Sequence, residues 1–333
     1  MNFKPVQILS IGKAVPNTVI TNDDLAKILD TSDEWISTRT GIKRRHITAG
    51  NENSTTLGIE AAKDALSKTD VDPKNIDAII VASSNPYNIY PSTACCIQEA
   101  LGADNAIAFD ITAACTGMLY ALEIGRNFIN SGKYKNILLV ATDTCSKFVD
   151  WEDRSTCVLF GDGAGAIMLT ESKDNVDDII AININAAGSL GKYITMNLTG
   201  DNCPLVEPMS EGKKKITMNG KEVYKFVVQT MPESIMKVLD DSGLTPKDID
   251  YLVPHQANYR IIEGLQHRLE FTNEQVIVDI QEYGNTSAAS IPVALTEGLE
   301  TGKIKTPSRA ILCAFGAGMT WGSAIIRLRE GLK

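Results

Sequence analysis

The stretch Val71-Asp-Pro-Lys-Asn-Ile-Asp77, followed by Ala-Ile-Ile-Val-Ala-Ser-Ser-Asn85, is echoed far downstream. There Leu244-Thr-Pro-Lys-Asp-Ile-Asp250 is followed by Tyr-Leu-Val-Pro-His-Gln-Ala-Asn258. In both copies a proline-anchored turn runs into a short apolar segment of strand character. An amphipathic helix precedes each copy, over 57–67 and 228–241, with Leu, Ile, Ala and Val at three- and four-residue intervals. A further helix follows each, over 92–101 and 259–269, and leads to second strands expected at 106–111 and 275–280. Strands at 136–141 and 309–314 come next, then glycine-rich segments with β-branched runs. Alternation of strands with helices of this length predicts an α/β fold, with mainly parallel sheets covered on both faces. The echo predicts two packed halves, 1–172 and 173–333, about a pseudo-twofold axis. Groups at the C-terminal ends of equivalent strands then meet at the centre.

Composition narrows the function classes. The chain has 333 residues, 44% apolar and 22% charged, as in an ordinary globular protein large enough for two units. A net charge of −9 argues against nucleic acid as a partner. No apolar run approaches the roughly 20 residues of a spanning helix, and residues 1–10 lack a signal-peptide core. The expected place is the cytoplasm or an organelle stroma, with no membrane contact. The seven cysteines, at 95, 96, 115, 145, 157, 203 and 313, are odd in number and lack CxxC spacing. The three histidines stand at no ligand spacing to them, so no metal site is expected.

Three residues carry the chemistry. Cys115 sits where Asp110-Ile-Thr-Ala-Ala-Cys-Thr116 opens an apolar helix over 117–129. Helix N-termini favour a thiolate, although an inert core cysteine is the competing description. His255 follows a buried strand stopped at Pro254, where site residues lie. Asn285 lies in Gly-Asn-Thr-Ser, which also suits a turn. Sulfur, imidazole and carboxamide suffice to form a thioester and to stabilise an enolate beside it. Gly161-Asp-Gly-Ala-Gly165 is expected to be a turn between strands, which disqualifies it as a phosphate loop. Phe315 to Gly322 is expected to join two strands and to offer backbone N–H groups to an oxyanion.

Taken together, seven segments resemble the β-ketoacyl-acyl carrier protein synthase III family of the thiolase superfamily. They are Thr31 to Ile42, Ala113-Ala-Cys-Thr-Gly117, Gly161 to Ala166, Met218-Asn-Gly-Lys-Glu-Val-Tyr-Lys225, Pro254-His-Gln-Ala-Asn258, Tyr283-Gly-Asn-Thr-Ser-Ala-Ala-Ser290 and Phe315 to Gly322. They run almost end to end in family order. The resemblance implies thiolase-like, duplicated βαβαβαββ halves in five α-β-α-β-α layers, and a homodimer that needs no cofactor.

It also implies a two-step reaction. Cys115 takes an acyl group from acyl-CoA, and malonyl on acyl carrier protein then loses CO₂ and attacks the acyl-Cys. His255 and Asn285 hold the enolate oxygen, while the N–H groups of Cys115 and Ala317 hold the tetrahedral oxyanion. Motif matching makes Trp35, Arg39 and Arg154 contacts of the CoA adenine and phosphates, with Arg154 on the adenine's other face. Gly220 and Asn258 match the pantetheine tunnel. Lys225 and Arg260 match carrier-docking positions, and Lys213-Lys214-Lys215, Lys221 and Arg268 add a basic face. Tyr90 stands where many relatives carry Phe against the partner's acyl pocket.

A condensing or acyl-transfer enzyme of secondary metabolism shares all these motifs and is the runner-up. Papain-like proteases use Cys, His and Asn in this chain order. The doubled βα pattern and the absence of a disulfide framework weigh against them. A binding protein that has lost its chemistry is disfavoured by the intact triad.

Overall fold

The structure, a computed structural model, describes residues 3–197, 205 and 214–333. Two sheets form its framework. The first comprises β1 (Val6–Ala14), β2 (Ala78–Ala82), β3 (Ile107–Ile111), β4 (Asn136–Thr144) and β5 (Asp162–Glu171), in the spatial order β1-β5-β4-β2-β3. The second comprises β6 (Ile179–Ala186), β7 (Tyr251–Pro254), β8 (Ser308–Gly316) and β9 (Thr320–Leu328), in the order β6-β9-β8-β7. The second order repeats the first, with β6 for β1, β9 for β5, β8 for β4 and β7 for β2. In each sheet the strands after the echoed turns pair in parallel, and the glycine-rich strand pairs antiparallel to its neighbours.

Helices cover both sheets. α1 (Asp33–Thr40) is a surface helix capped by Ser32, whose hydroxyl accepts from the Trp35 N–H. α2 (Ser54–Ser67) and α3 (Thr93–Leu101) pack on the outer face of the first sheet. α4 (Gly117–Asn130) lies between the sheets, and Met118, Leu119, Leu122 and Ile129 are fully buried there. Each such side chain contributes about 1.5–3 kcal/mol by leaving water. α5 (Gly220–Ser242) covers the second sheet's outer face, with α6 (Tyr259–Arg268) packed against it. α7 (Ser290–Glu300) joins α4 in the middle layer. The result is the expected five-layered α-β-α-β-α arrangement.

Two expected elements differ. Residues 275–280 form no strand; Val276 makes a single bridge to Leu252, and a short helical turn, Ile280–Tyr283, follows. The Gln256 carboxamide explains this. Its Oε1 accepts from the N–H groups of Asp279 and Ile280, and its Nε2 donates to the Ile277 carbonyl. A side chain thus satisfies the backbone groups that a strand neighbour would have taken. Gly161–Gly165 likewise does not make a turn between strands. Gly163 and Gly165 lie inside β5, and Phe160 only bridges to Asn285. A Cβ on Gly165 would stand 2.5 Å from Pro292 Cγ, so glycine lets α7 cross the strand in contact with its backbone.

Candidate active site

The C-terminal ends of β4 and β7, the start of α4, the 285–287 turn and the β8–β9 loop converge on a cavity of about 220 Å³. Cys115, His255, Asn285, Asn258, Gly220 and Ala317 all line it. Residues far apart in sequence, on both sheets, therefore meet at one largely apolar hollow.

Cys115 sits in a single 3-10 turn, Ala114–Thr116, that feeds α4. Ala114 before it has φ +47°, a left-handed conformation that costs a non-glycine residue on the order of 1–3 kcal/mol. The β8–β9 loop lies directly on this turn. A Cβ on Gly316 would stand 2.7 Å from the Cys115 nitrogen. Thr320 ties the two together by donating to the Ala113 carbonyl at 3.2 Å and bonding the Thr116 hydroxyl at 3.0 Å. Ala317 is the first residue of that loop and, like Cys115, lines the cavity. Burial works against the expected thiolate. It pushes the Cys115 thiol up to about 12, nearby Asp143 adds to the push, and the Ser287 hydroxyl 3.5 Å from Sγ offsets only part. Desolvation opposes the favourable end of the helix.

His255 is held by its N–H on the Cys313 carbonyl at 2.7 Å and by its Nδ1 on the Ser290 hydroxyl at 2.6 Å. Ser290 Oγ also lies 3.5 Å from the Gln256 N–H, which donates to it. The serine proton has no acceptor other than Nδ1 among the described residues, so the imidazole proton belongs on Nε2. Nε2 is buried and has no hydrogen-bond partner among the described residues, and the ring packs edge-on against Phe315, 5.5 Å between centroids. Burial lowers the imidazole to about 3, so His255 is neutral at physiological pH and presents one N–H.

Asn285 is oriented just as firmly. Its N–H donates to Leu159, its carbonyl accepts from Gly161, and its side-chain Oδ1 accepts from the Ser287 N–H at 2.9 Å. The carboxamide oxygen is thereby used, which fixes the amide flip and leaves Nδ2 as the donor.

The remaining expected residues fall into three groups. Asn258 caps α6 by accepting from the Arg260 N–H, and Gly220 opens α5; both are at the cavity wall. Trp35, Arg39 and Arg154 cluster outside it. Both guanidinium groups lie over the indole, at 4.6 and 5.0 Å from its centroid, and Arg154 also donates to the Asp30 carbonyl and carboxylate. Arg260 donates to the Thr38 carbonyl of α1, which sets it beside this cluster. Lys225 pairs with Glu222 at 2.8 Å on α5, and Lys213 lies outside the described residues. Tyr90 is 89% exposed next to exposed Tyr87 and Ile89, away from the cavity lining.

Ser287, Ser290 and Asp143 were missed as individual site residues. The two serines lie within the quoted 283–290 run, and Asp143 is a carboxylate inside an apolar strand, a signal that buried charge carries. Among the described residues no group of His, Cys, Asp and Glu is arranged to hold a metal, and no helix is long and apolar enough to cross a membrane.

Comparison with known proteins agrees with this fold. Residues 109–188 match the family model for 3-oxoacyl-[acyl-carrier-protein (ACP)] synthase III, and residues 239–328 match that of its C-terminal part. The chain is 45% identical to the β-ketoacyl-[acyl-carrier-protein] synthase III of Clostridium acetobutylicum, over 97% of this chain and 98% of that one. The crystal structure of 3-oxoacyl-[acyl-carrier-protein] synthase III from Aquifex aeolicus matches with a TM-score of 0.89 at 46% identity, over 97% of this chain and all of that one. The priming β-ketosynthase of the R1128 polyketide pathway matches with a TM-score of 0.90 at 33% identity, over 99% and 98%. The chain belongs to the β-ketoacyl-[acyl-carrier-protein] synthase III family, acyltransferases of thiolase-like fold that carry out the condensation initiating fatty acid synthesis.

Proposed function

We propose that Cys115 accepts a short acyl group, acetyl in the first instance, from acyl-CoA, and that this group then condenses with malonyl carried on acyl carrier protein. The observation that carries this is the meeting of one sulfur with two neutral, oriented N–H donors in a single apolar cavity. In the first step sulfur bonds to the acyl carbon and CoA leaves, while the amides of Cys115 and Ala317 hold the tetrahedral oxygen. In the second, the malonyl thioester oxygen meets His255 Nε2–H and Asn285 Nδ2–H. Loss of CO₂ places negative charge on that oxygen, where donors in a water-poor site stabilise it most. A neutral imidazole suits this step. It donates to the developing enolate without offering a cation that would hold the malonyl carboxylate in the ground state.

CoA enters past Trp35, Arg39 and Arg154, with Gly220 and Asn258 along the pantetheine. An adenine on the indole displaces one of the two guanidinium groups now covering it. Lys225 and Arg260 meet the acidic carrier. A homodimer buries the exposed Tyr87–Ile89–Tyr90 patch, so that Tyr90 reaches the partner's acyl pocket. The halves 1–172 and 173–333, the lack of a resident cofactor and a cytoplasmic or stromal location belong to the same proposal; the repeated strand order supports the halves. Incubation with acetyl-CoA is expected to add one acetyl mass to the intact protein, and Cys115→Ala to abolish it. Absence of any adduct across a panel of short and branched acyl-CoAs removes the priming role.

A further inference from the structure

A single hydroxyl joins the nucleophile turn to the β8–β9 loop, and the two-step scheme gives it no role. Thr320, half-buried at the start of β9, pairs its backbone with Gly316 of β8 and Ala186 of β6. Its Oγ1 lies 3.2 Å from the Ala113 carbonyl, 3.1 Å from the Ala317 carbonyl and 3.0 Å from Thr116 Oγ1. Thr116 is fully buried, and its hydroxyl has no other partner among the described residues, so its proton goes to Thr320. The one Thr320 proton is then shared between the two carbonyls. The Ala113 carbonyl also accepts from the Thr116 N–H at 3.1 Å, closing the turn around Ala114. A non-glycine residue stays at φ +47°, as Ala114 does, only where its surroundings over-determine it. Ala317 opens the loop, and the loop's far side is fixed by Met319, whose N–H and carbonyl pair with those of Ala187. Thr320 therefore fastens the loop on the side that faces the nucleophile.

We propose that Thr320 is a positioning residue that holds the Cys115 and Ala317 amides at one spacing, and so serves both acyl transfers but not the loss of CO₂. This rests on those amides holding the tetrahedral oxygen, as set out above. In the first transfer the oxygen gains charge as sulfur bonds to the acyl carbon. In the second it gains charge again as the enolate carbon bonds to the same carbon, so both steps need the same pair of amides. The enolate donors are held by other groups: His255 by Ser290, and Asn285 by Leu159, Gly161 and the Ser287 N–H. None of these bonds involves Thr320. Without its hydroxyl the strained turn and the loop lose their link, and the two amides drift apart. Deleting one oxyanion donor costs about 100- to 1,000-fold, and displacing one costs less, about 10- to 100-fold. When attack lags behind decarboxylation, the enolate carbon takes a proton from water instead. That gives acetyl on the carrier and hydroxide, and leaves the acyl-Cys intact.

The test compares wild type with Thr320→Val, which keeps the shape but not the hydroxyl, and Thr320→Ser, which keeps the hydroxyl. Single-turnover acylation over a range of acetyl-CoA concentrations is read by quenched-flow mass spectrometry of the intact protein. Enzyme acylated to completion by long incubation is then given malonyl-acyl carrier protein, and CO₂, acetyl-carrier and 3-oxoacyl-carrier are followed. Thr320→Val is expected to slow saturated acylation about 10- to 100-fold, with half-saturation within about threefold of wild type. Its CO₂ release is expected to stay within about threefold, with the products shifted toward acetyl-carrier. Thr320→Ser is expected to restore both acylation and the product ratio. Thr116→Val, which removes only the bond into Thr320, is expected to slow acylation about 3- to 10-fold, and the double variant to be no slower than Thr320→Val. If Thr320→Val does not fold, Thr116→Val decides, and a wild-type rate in it overturns the proposal. Acylation by Thr320→Val within about threefold of wild type, an equal loss of CO₂ release, or no rescue by serine also overturns it and leaves the acyl-Cys scheme standing. A wild type that forms no acyl-enzyme overturns the scheme itself.

Discussion

Ser290→Ala isolates what the orientation of His255 contributes. The change removes the 2.6 Å bond to Nδ1, leaving that nitrogen buried without its donor and the imidazole free to carry its proton on either nitrogen. A buried polar atom left unpaired costs about 1–3 kcal/mol. The part of that cost appearing in the second transition state converts to about a 10- to 100-fold slower condensation, at about 1.4 kcal/mol for each factor of ten. Acylation of Cys115 uses backbone amides and is expected to stay within about threefold of wild type. Because the donor is needed most when the enolate forms, kcat and kcat/KM for malonyl-acyl carrier protein are expected to fall together. The assay pre-forms the acyl-enzyme with acetyl-CoA, adds malonyl-acyl carrier protein and follows CO₂ release in a single turnover. Wild-type decarboxylation in Ser290→Ala, or an equal loss of acylation, would refute the assignment of Nε2–H to this contact.

Gly316→Ala is expected to abolish acylation while the protein stays folded, because its Cβ would press on the Cys115 nitrogen at 2.7 Å; a wild-type acylation rate with unchanged circular dichroism refutes this. Iodoacetamide is expected to alkylate Cys115 at a rate still rising tenfold per pH unit above pH 9, since burial holds the thiol near 12; a plateau by pH 7 contradicts the neutral resting thiol. Asp279 is buried, its Oδ2 has no partner among the described residues, and burial raises it to about 7. Ionising it in the native state therefore costs stability above pH 7, and that cost fades as pH falls toward the unfolded value of about 3.8. Asp279→Asn is expected to stabilise the protein at pH 8 by about 2–4 kcal/mol and to have no such effect near pH 4, read by urea unfolding at both. Equal effects at the two pH values contradict it.

Much of this molecule was legible in its sequence because the deciding signals are local. The paired proline turns at Pro73 and Pro246, the helix periods after them and the strands they feed are short-range patterns, and both sheets repeat them in the same order. Cys115, His255 and Asn285 stood out because each follows the end of a strand or an apolar run, where a doubled α/β fold gathers side chains. Tertiary structure decided what happens to those groups once water is removed. The helix end at α4 argued for a thiolate, but the strands and turns that bury Cys115 come from across the chain, and their desolvation works against it. The second-half strand at 275–280 gave way to a carboxamide, Gln256, that no local pattern connects with it. Ser290, Ser287 and Asp143 look like ordinary turn and strand residues in sequence. Only the packing of α7 and the 285–287 turn against β4 and β7 brings a hydroxyl to Nδ1 and a carboxylate behind sulfur. Hydrogen-bond partners and dielectric surroundings are properties of the assembled interior.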